Sequence, residues 1–546
     1  MAPKSKMLKL LILVIFVWLF VILLMNVFSS GESYYYSKLL GSLDDHQSLL
    51  NLEQQQRAHG DGGISLDKDP YGDYSYKEPK EEEIAAQLEL DLPNVPFVYA
   101  DRHKNRTMRK SRNCAIFPYL QTLKYYNNFW QTYTNMNVTF HLYAAYYDDR
   151  PGVEETPAIR ILAMINQLHA PFPTSYCHIW YENQEIPHIV PISEYSPIWY
   201  WGGEYMFFTH LLTCFPPKVT VPGRKVPVPR AVGIVNHQCD TPTNMLKVIY
   251  RKPASNSTEK IPFAVCVKGL DFPYADISNR LAEWLEMQRL LGAHKVYMYN
   301  IAIHPNVKKL LDYYEAEGFV EVRPITLVEG VVGLPHMQHW ILGLTLFNKR
   351  LNELIPYNDC FYRHMYEYEY IAIIDVDEII MPLGELQTWQ DIVNVSVAAE
   401  EERNCVQGFA ALCFRNTYFP YRTDNFTLSP ETGDNHDHHE VSPIPAHMFF
   451  LGHKYRTSNY SRVGFATKCL HRTSKVKSLH NHYPVHWSNS CGPTNIPQTL
   501  AHLQHYQDFQ PTNEFQILQT DYSLERYRAS LVDRTTEVLR QLGILK

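Results

Sequence analysis

The apolar residues of this chain follow two different periods, and the first of them governs positions 95 to 255. In this stretch apolar and polar residues alternate, and Tyr, Phe, Trp and β-branched residues are frequent. Such alternation is typical of strands. It is clearest in three segments, Val138–Tyr143, Ile159–Ile165 and Leu246–Tyr250. We therefore predict a small, mainly-β module at 95–255.

A second pattern begins at Pro262, where short apolar runs alternate with segments of helical period. The apolar runs predict strands at Phe263–Val267, Lys295–Tyr299 and Phe319–Val322. The segments between and after them predict helices at 276–291, 305–317 and 337–354. Alternating strands and helices imply right-handed crossovers and a mostly parallel sheet. The predicted fold class is therefore α/β, with the α/β domain at 261–510 and a helical C-terminal segment at 511–546.

The most apolar run of the chain extends from Leu10 to Phe28. A helix over these residues would span roughly 28 Å, about the thickness of the hydrocarbon core of a bilayer. Lysines precede the run and Glu32 is the first charge after it, so the positive-inside rule places residues 1–9 in the cytosol. We predict a transmembrane signal anchor at 10–28; a cleaved signal peptide is the competing interpretation.

The polar and irregular residues 29–94 are predicted to form a largely disordered stem, because they could not bury enough apolar area to fold. Downstream lie six Asn-x-Ser/Thr sites, at Asn105, Asn137, Asn256, Asn394, Asn425 and Asn459. The ten cysteines all follow the anchor and form no Cys-x-x-Cys pair. These features predict a luminal ectodomain with structural disulfides, whose pairing the sequence leaves open.

The formal net charge of the chain is −7, and no long basic stripe is present. A nucleic-acid partner is therefore not expected. The length of 546 residues exceeds one ordinary domain, which agrees with two folded units and a tail.

Candidate chemistry appears in the run Ile371–Glu378, where four apolar residues are followed by three carboxylates, Asp375, Asp377 and Glu378. The run predicts a buried strand that ends in an acidic turn, and ligands of α/β sheets bind at the carboxyl ends of strands. Clustered carboxylates repel one another unless a cation lies between them. Mg²⁺ and Mn²⁺ commonly bridge carboxylates to substrate phosphates. The alternative is a solvated turn after an ordinary core strand.

Several other classes of enzyme fit the motif context poorly. A haloacid-dehalogenase-type phosphatase carries Asp-x-Asp on its first strand, whereas here the motif follows roughly the fourth strand. The chain contains no Gly-x-Ser-x-Gly elbow and no Walker loop. The turn after the first α/β strand, around Lys268, lacks the Gly-x-Gly-x-x-Gly fingerprint of dinucleotide-binding domains.

The remaining interpretation is transfer of a sugar from a nucleotide diphosphate. A divalent ion held by two carboxylates can neutralise the departing diphosphate as a Lewis acid. A later histidine often completes such a coordination shell, and the segment Val476–His482 offers His480 and His482. For His482 an ordinary structural role is favoured, and for His480 both roles remain open.

Several motifs, taken in order, resemble glycosyltransferase family 92. They are Ala282–Glu286, Leu291–Ala293, Tyr297–Asn300, Asp359–Arg363, Ile374–Glu378, Lys477–Asn481 and Leu503–Gln507. The earlier run Ala144–Arg150 is similar to the N-terminal module of that family. The resemblance covers about residues 143–506.

This resemblance implies a GT-A type nucleotide-sugar-binding domain in a single-pass type II protein of the Golgi membrane. It also implies a UDP-hexose donor, dependence on Mn²⁺ (or Mg²⁺), a glycan acceptor on glycoprotein or glycolipid, and inverting β1,4-galactosyl transfer. By the same resemblance Asp375 and Asp377 are the ligands of the metal and the diphosphate. His480 is the expected further metal ligand, with His505 in reserve. Lys268 and Tyr299 are expected to border the nucleotide.

Inversion requires a general base that takes the proton of the acceptor hydroxyl. The candidates are Asp437 and Glu440, which lie in a histidine-rich loop. The competing interpretation is that this loop is an ordinary solvated segment. The second hypothesis for the whole protein is a catalytically inactive GT-A fold that serves as a glycan-binding or chaperone-like partner in the secretory pathway.

Overall fold

The structure is a computed structural model. It describes residues 79–103, 114–153, 156–182, 184, 186–203, 206–217, 227–253, 259–328, 333–405, 408–429, 443–488 and 490–545. The predicted anchor at 10–28, most of the predicted stem, and both Asp437 and Glu440 lie outside these residues. Within them, no helix combines the length and the hydrophobicity needed to cross a membrane. Residues 79–546 form one compact unit.

The described residues begin with two helices, α1 (Glu81–Asp91) and α2 (Phe97–Arg102). A nine-stranded sheet follows them. Its strands are β1 (Gln131–Asn135), β2 (Val138–Asp148), β3 (Ala158–Ile165), β4 (Tyr176–Trp180), β5 (His188–Pro191), β6 (Glu194–Pro197), β7 (Phe208–Cys214), β8 (Ala231–Val235) and β9 (Leu246–Ile249). The order is β5-β4-β8-β9-β2-β3-β7-β6, with β1 beside β2. This N-terminal sheet is antiparallel except for the pair β2–β9.

Both faces of the N-terminal sheet are buried, which is why its strands are apolar almost throughout. Along β2, Phe140 and Leu142 enter a core enclosed by the sheet itself, whereas Tyr143 and Tyr146 join a second core on the other face. A disulfide between Cys177 and Cys214 links β4 to β7 across the first core.

The second half of the chain forms the helices α3 (Ser278–Leu291), α4 (Pro305–Ala316), α5 (Pro335–Leu344), α6 (Leu346–His364), α7 (Trp389–Glu402) and α8 (Arg528–Gln541). Its strands are β10 (Ile261–Phe272), β11 (Lys295–Ile303), β12 (Val320–Pro324), β13 (Tyr368–Ile373), β14 (Glu378–Pro382), β15 (Ala411–Phe414), β16 (Asn416–Phe419), β17 (Thr427–Leu428), β18 (Tyr455–Thr457), β19 (Lys468–Arg472), β20 (Val476–Leu479), β21 (Pro484–Trp487), β22 (Pro493–Asn495), β23 (Ala501–Tyr506) and β24 (Ile517–Thr520).

Seven of these strands form the main sheet, in the order β12-β11-β10-β13-β19-β15-β22. Strands β12, β11, β10 and β13 pair in parallel through helical crossovers, as the sequence predicts. However, β19 pairs antiparallel with both β13 and β15, so the sheet is mixed. Antiparallel neighbours need no helical crossover, and the sequence carries no comparable periodic signal for them.

Helix α6 lies between the two sheets, and all of its last fourteen residues are buried. On one side the hydroxyl of Thr209 in β7 donates to the carbonyl of Leu351 at 2.8 Å. On the other side α6 is joined to β10 by a disulfide between Cys266 and Cys360. The predicted helix at 337–354 is divided into α5 and α6, because Thr345 is extended and caps the N-terminus of α6.

Four disulfides are present among the described residues. Besides the two already named, Cys405–Cys491 and Cys413–Cys469 join parts of the second half. Disulfides persist in oxidising compartments and are rare in the cytosol. They therefore indicate a protein of the secretory pathway.

Candidate active site at the ends of strands β10 and β13

The main sheet has its topological switch point at β10. The chain leaves β10 toward β11 and β12 on one side and returns through α6 to β13 on the other side. In open α/β sheets, ligands bind in the crevice beyond the carboxyl ends of the two strands at such a point. Lys268 on β10 lies at this crevice, and Asp375 and Asp377 follow directly after the end of β13.

Asp375 is held between two lysines. Its Oδ1 lies 3.1 Å from Lys268 Nζ, and its Oδ2 lies 3.2 Å from Lys468 Nζ. Each lysine also has a second carboxylate partner, Glu353 at 3.1 Å for Lys268 and Glu378 at 3.0 Å for Lys468. The result is a buried cluster of three carboxylates and two ammonium groups.

Burial and charge act in opposite directions on these groups. Burial alone would raise the pKa of Asp375, but Lys268 and Lys468 reverse the effect and hold this pKa well below its usual value. For Glu378 burial prevails and raises the pKa. Burial would lower the pKa of Lys468, yet Asp375 and Glu378 raise it. Asp375 is therefore ionised at neutral pH and serves as the fixed centre of the cluster.

Asp377 is the carboxylate of the acidic turn that faces outward. Its side chain is 28 % exposed, and its Oδ2 lies 3.9 Å from both Arg280 Nη2 and His505 Nε2. These distances are too long for direct hydrogen bonds. Unlike Asp375, this carboxylate therefore has no close cationic partner within the described residues.

The pairing of β14 with β23 brings His505 to the acidic turn. Strand β14 starts at Glu378, which is the register partner of His505 in β23. The neighbouring amide of Tyr506 donates to the carbonyl of Asp377 at 2.9 Å. On the other side of the imidazole ring, Nδ1 lies 3.2 Å from Nδ2 of Asn416 and 3.6 Å from Glu378 Oε1. The ring is therefore oriented with Nε2 toward Asp377.

His480 lies in a different environment. It is buried, its ring centroid is 5.3 Å from that of Trp199 and 5.0 Å from that of Tyr483, and burial lowers its pKa to about 4. The following residue, Asn481, contacts the lysine–carboxylate cluster instead, because its Oδ1 accepts hydrogen bonds from Lys468 and from the hydroxyl of Tyr357. The structure thus brings His505, and not His480, next to Asp377.

Tyr299 also lies in a network of its own. It is fully buried, and its hydroxyl donates to Asp359 Oδ2 at 2.6 Å. Lys268, the other residue expected to border the nucleotide, is 24 % exposed and lines a cavity. Asp437 and Glu440 remain outside the described residues.

The cavity beside Lys268 has a volume of about 300 Å³. Its walls are mostly apolar, with side chains of Phe272, Ile301, Ile325, Leu327, Leu342 and Pro356. The polar lining groups belong to Lys268, Lys349, Asn352, Glu353 and the pair Asp271–His339, whose Oδ1 and Nδ1 are 2.9 Å apart. Such a pocket, apolar with a few convergent polar groups, suits a small organic ligand.

A larger cavity of about 430 Å³ lies at the ends of strands β4, β8 and β9, near Tyr181, Arg230 and Tyr250. The residues that line this cavity precede β10 and β13, the two strands of the switch point. Its carboxylate, Glu182, is already paired with Arg230 at 2.9 Å. We therefore place the candidate active site at the smaller cavity.

Sequence reasoning did not identify Lys468, Glu353, Tyr357 or Asn481 as members of this cluster. Their contacts with Asp375 and its two lysines depend on long-range packing of α6, β19 and the residues after β20 against the sheet, which one sequence does not report. Lys468 is the first residue of β19 and is fully buried, and a buried lysine requires a carboxylate partner.

The described residues contain no group of three or more His, Cys, Asp or Glu side chains arranged to hold a metal ion. Asp375 is occupied by its two lysines. Asp377 and His505 both lie at the crevice, and their Oδ2 and Nε2 atoms are 3.9 Å apart, a separation that a shared cation could bridge. Mg²⁺-type ions often take one or two protein ligands and fill the remaining positions with water and substrate phosphates. The residues present fit an ion bound in that manner.

The fold and the site define an α/β protein with a ligand crevice at a topological switch point. The sequence model of glycosyltransferase family 92 matches residues 261–540, from the start of β10 into α8. Because this match covers more than half of the 546 residues, the chain belongs to glycosyltransferase family 92, and membership implies glycosyltransferase activity on a sugar donor and an acceptor. No match was found among curated proteins.

Proposed function

We propose that the protein is a metal-dependent inverting glycosyltransferase of GT-A type that acts in the Golgi lumen. In this proposal it moves a hexose, galactose in a β1,4 linkage, from a UDP-sugar to a glycan acceptor on a glycoprotein or glycolipid. The observation that carries the proposal is the acidic turn at the switch point, next to a cavity and inside a family 92 domain.

The cavity is the proposed site of the donor nucleotide. Lys268 lines it and lies 3.1 Å from Asp375, so its ammonium group can donate to a diphosphate oxygen at the crevice. Asp377 and His505 would hold a divalent ion, which would supply positive charge for the departing diphosphate. The lysine–carboxylate cluster fixes the position of the acidic turn.

The proposed chemistry is a single displacement at the anomeric carbon. The bond from this carbon to the diphosphate oxygen breaks while the acceptor oxygen attacks from the opposite face. The proton of the acceptor hydroxyl goes to a general base, for which Asp437 and Glu440 remain the proposed residues. UDP leaves with the electron pair of the broken bond.

The test uses the full-length protein, a panel of UDP-hexoses, N-glycan oligosaccharides as acceptors, and Mn²⁺ or a chelator. We expect UDP release and a transferred hexose that both depend on Mn²⁺. Asp377→Ala should abolish both, whereas Asp312→Ala, an exposed carboxylate paired with Lys308 on α4, should change neither. Equal turnover by wild type and Asp377→Ala would end the proposal. Tight UDP binding without turnover on the whole panel would favour the inactive glycan-binding protein.

A further inference from the structure

The loop between β6 and β7 exposes aromatic side chains in an unusual way. It contains Trp199, Tyr200 and Trp201, and the exposed fractions of the last two are 58 % and 52 %. Aromatic rings of this size normally bury most of their surface in a core or an interface. Their exposure at one place therefore requires a reason other than the stability of the N-terminal sheet.

The loop extends from the N-terminal sheet to the first turn of α6. The ring centroids of Trp201 and Phe347 are 4.5 Å apart at an interplanar angle of 60°. Phe347 is the second residue of α6, and Lys349 and Asn352 on the next turns line the proposed donor cavity. Trp201 therefore lies within about two helical turns of that cavity.

A second contact places the loop beside His480, the residue before Asn481. Trp199 packs against His480, with 5.3 Å between ring centroids, and also against Trp201 at 5.2 Å. His480 is followed by Asn481, whose side chain binds Lys468 of the lysine–carboxylate cluster. The three rings of Trp199, Trp201 and Phe347, which we call the aromatic rim, thus contact the start of α6 and His480.

The chemistry of the aromatic rim points to a neutral ligand with apolar faces. The rings meet at angles of 67° and 60°, so they form an angular surface and not a flat one. A pyranose ring combines an apolar C–H face with hydroxyls that can bond to neutral polar groups. An angular set of rings suits such a ligand better than it suits a flat membrane surface.

We infer that the aromatic rim binds a sugar residue of the acceptor and selects among acceptors. This inference rests on the proposed function, since it assigns the rim to the substrate that must enter the crevice opposite the donor. The loop residues 199–201 precede residue 261, where the family match begins. Acceptor selection would therefore reside in the N-terminal sheet, and donor binding in the matched domain.

The test compares full-length wild type with Trp201→Ala, Trp201→Phe and the control Tyr119→Ala, which removes another exposed ring of the N-terminal region. Steady-state transfer to N-glycan oligosaccharides gives the acceptor KM, and hydrolysis of the UDP-sugar without acceptor gives the donor KM. We expect Trp201→Ala to raise the acceptor KM at least about tenfold, as one lost stacking contact would. The donor KM should stay within about twofold, Trp201→Phe should restore most of the acceptor affinity, and Tyr119→Ala should behave as wild type.

An unchanged acceptor KM in Trp201→Ala would overturn the inference, and so would a parallel rise of the donor KM, which would show a merely structural role. Loss of binding to phosphatidylcholine vesicles in Trp201→Ala, with unchanged acceptor KM, would assign the rim to a membrane surface and also overturn it. Saturation-transfer NMR with the same oligosaccharides separates this inference from the proposed function. Binding that depends on Trp201 in a protein without transferase activity would support the rim while the enzymatic proposal fails.

Discussion

This protein contains two buried clusters of charged side chains, which differ in how their carboxylates are balanced by cations. In the N-terminal sheet, Arg150 donates to both carboxylate oxygens of Asp148, at 2.8 and 2.7 Å. Its remaining nitrogen donates to the backbone carbonyls of Thr473 and Val476, so the cluster also ties the N-terminal sheet to the second half of the chain. Both Asp148 and Arg150 are almost completely buried.

At the acidic turn the balance is different. Glu353, Asp375 and Glu378 share only Lys268 and Lys468, and the outward Asp377 has no ion pair shorter than 3.9 Å among the described residues. Lys268 is also open to a cavity. The comparison teaches that burial of charge does not by itself indicate function. A cluster that is closed and neutral contributes structure, whereas one that is open and carries excess negative charge can bind a cation and, through that cation, a phosphate group.

The largest expected effect is the loss of stability in Arg150→Met. This change leaves Asp148 buried without its bidentate partner, so the free energy of unfolding should fall by about 3–5 kcal/mol. Urea unfolding measures the loss. The matched control is Arg422→Met, whose exposed pair with Asp508 should contribute less than about 1 kcal/mol. Equal losses in the two variants would contradict the view that the Asp148–Arg150 cluster is structural.

The second prediction separates the two histidines proposed as metal ligands. His505→Gln should weaken activation by Mn²⁺ about 10–100-fold, because Nε2 of His505 faces Asp377 and mutations around metal ligands have effects of this size. His480→Gln should leave the Mn²⁺ dependence unchanged and alter the acceptor KM through Trp199. The measurement is transfer rate against Mn²⁺ concentration. The opposite pattern would restore His480 as the ligand.

The third prediction concerns Lys268, the lysine of the lysine–carboxylate cluster that lines the cavity. Lys268→Met removes an ammonium group that lines the cavity, and hydrogen bonds to charged groups are worth about 1.5–3 kcal/mol. The donor KM should therefore rise at least about tenfold. Lys308→Met, on the surface of α4, serves as control. A wild-type donor KM in Lys268→Met would mean that the nucleotide binds elsewhere.

The last prediction is a dependence of stability on pH that both regions share. Burial lowers the pKa of His210 in the N-terminal sheet and of His480 near the acidic turn to about 4, from an ordinary value of 6.5. Between these values the unfolded chain binds more protons, so the free energy of unfolding falls as the pH is lowered from 6.5 to about 4. Each histidine contributes up to about 1.4 kcal/mol per pH unit in this window.

Urea unfolding at pH 7, 6, 5 and 4.5 gives the slope. His210→Gln should reduce the slope of the free energy of unfolding against pH by the contribution of one titrating histidine. A slope unchanged by this substitution would show that His210 titrates alike in the folded and unfolded states.

The alternation of strands and helices after residue 261 could be predicted from the sequence, because each element carries its own period. Strand β10, helix α3 and helix α4 begin within two residues of their predicted positions. The antiparallel position of β19 and the pairing of β14 with β23 could not be predicted, since neither leaves a local pattern. These two long-range pairings are the ones that bring Lys468 and His505 to the acidic turn.

The disulfide between Cys266 and Cys360 has a mechanical consequence for the proposed donor cavity. Cys266 lies two residues before Lys268, and Cys360 lies two helical turns after Glu353, so the bond joins the strand and the helix that supply these two groups. On this side of the cavity, strand β10 and helix α6 are therefore linked covalently. The side formed by α5 is held by non-covalent contacts, among them the pair Asp271–His339 at 2.9 Å, and the helix ends at the extended residue Thr345. We therefore expect a reducing agent to weaken donor binding directly, before the protein unfolds.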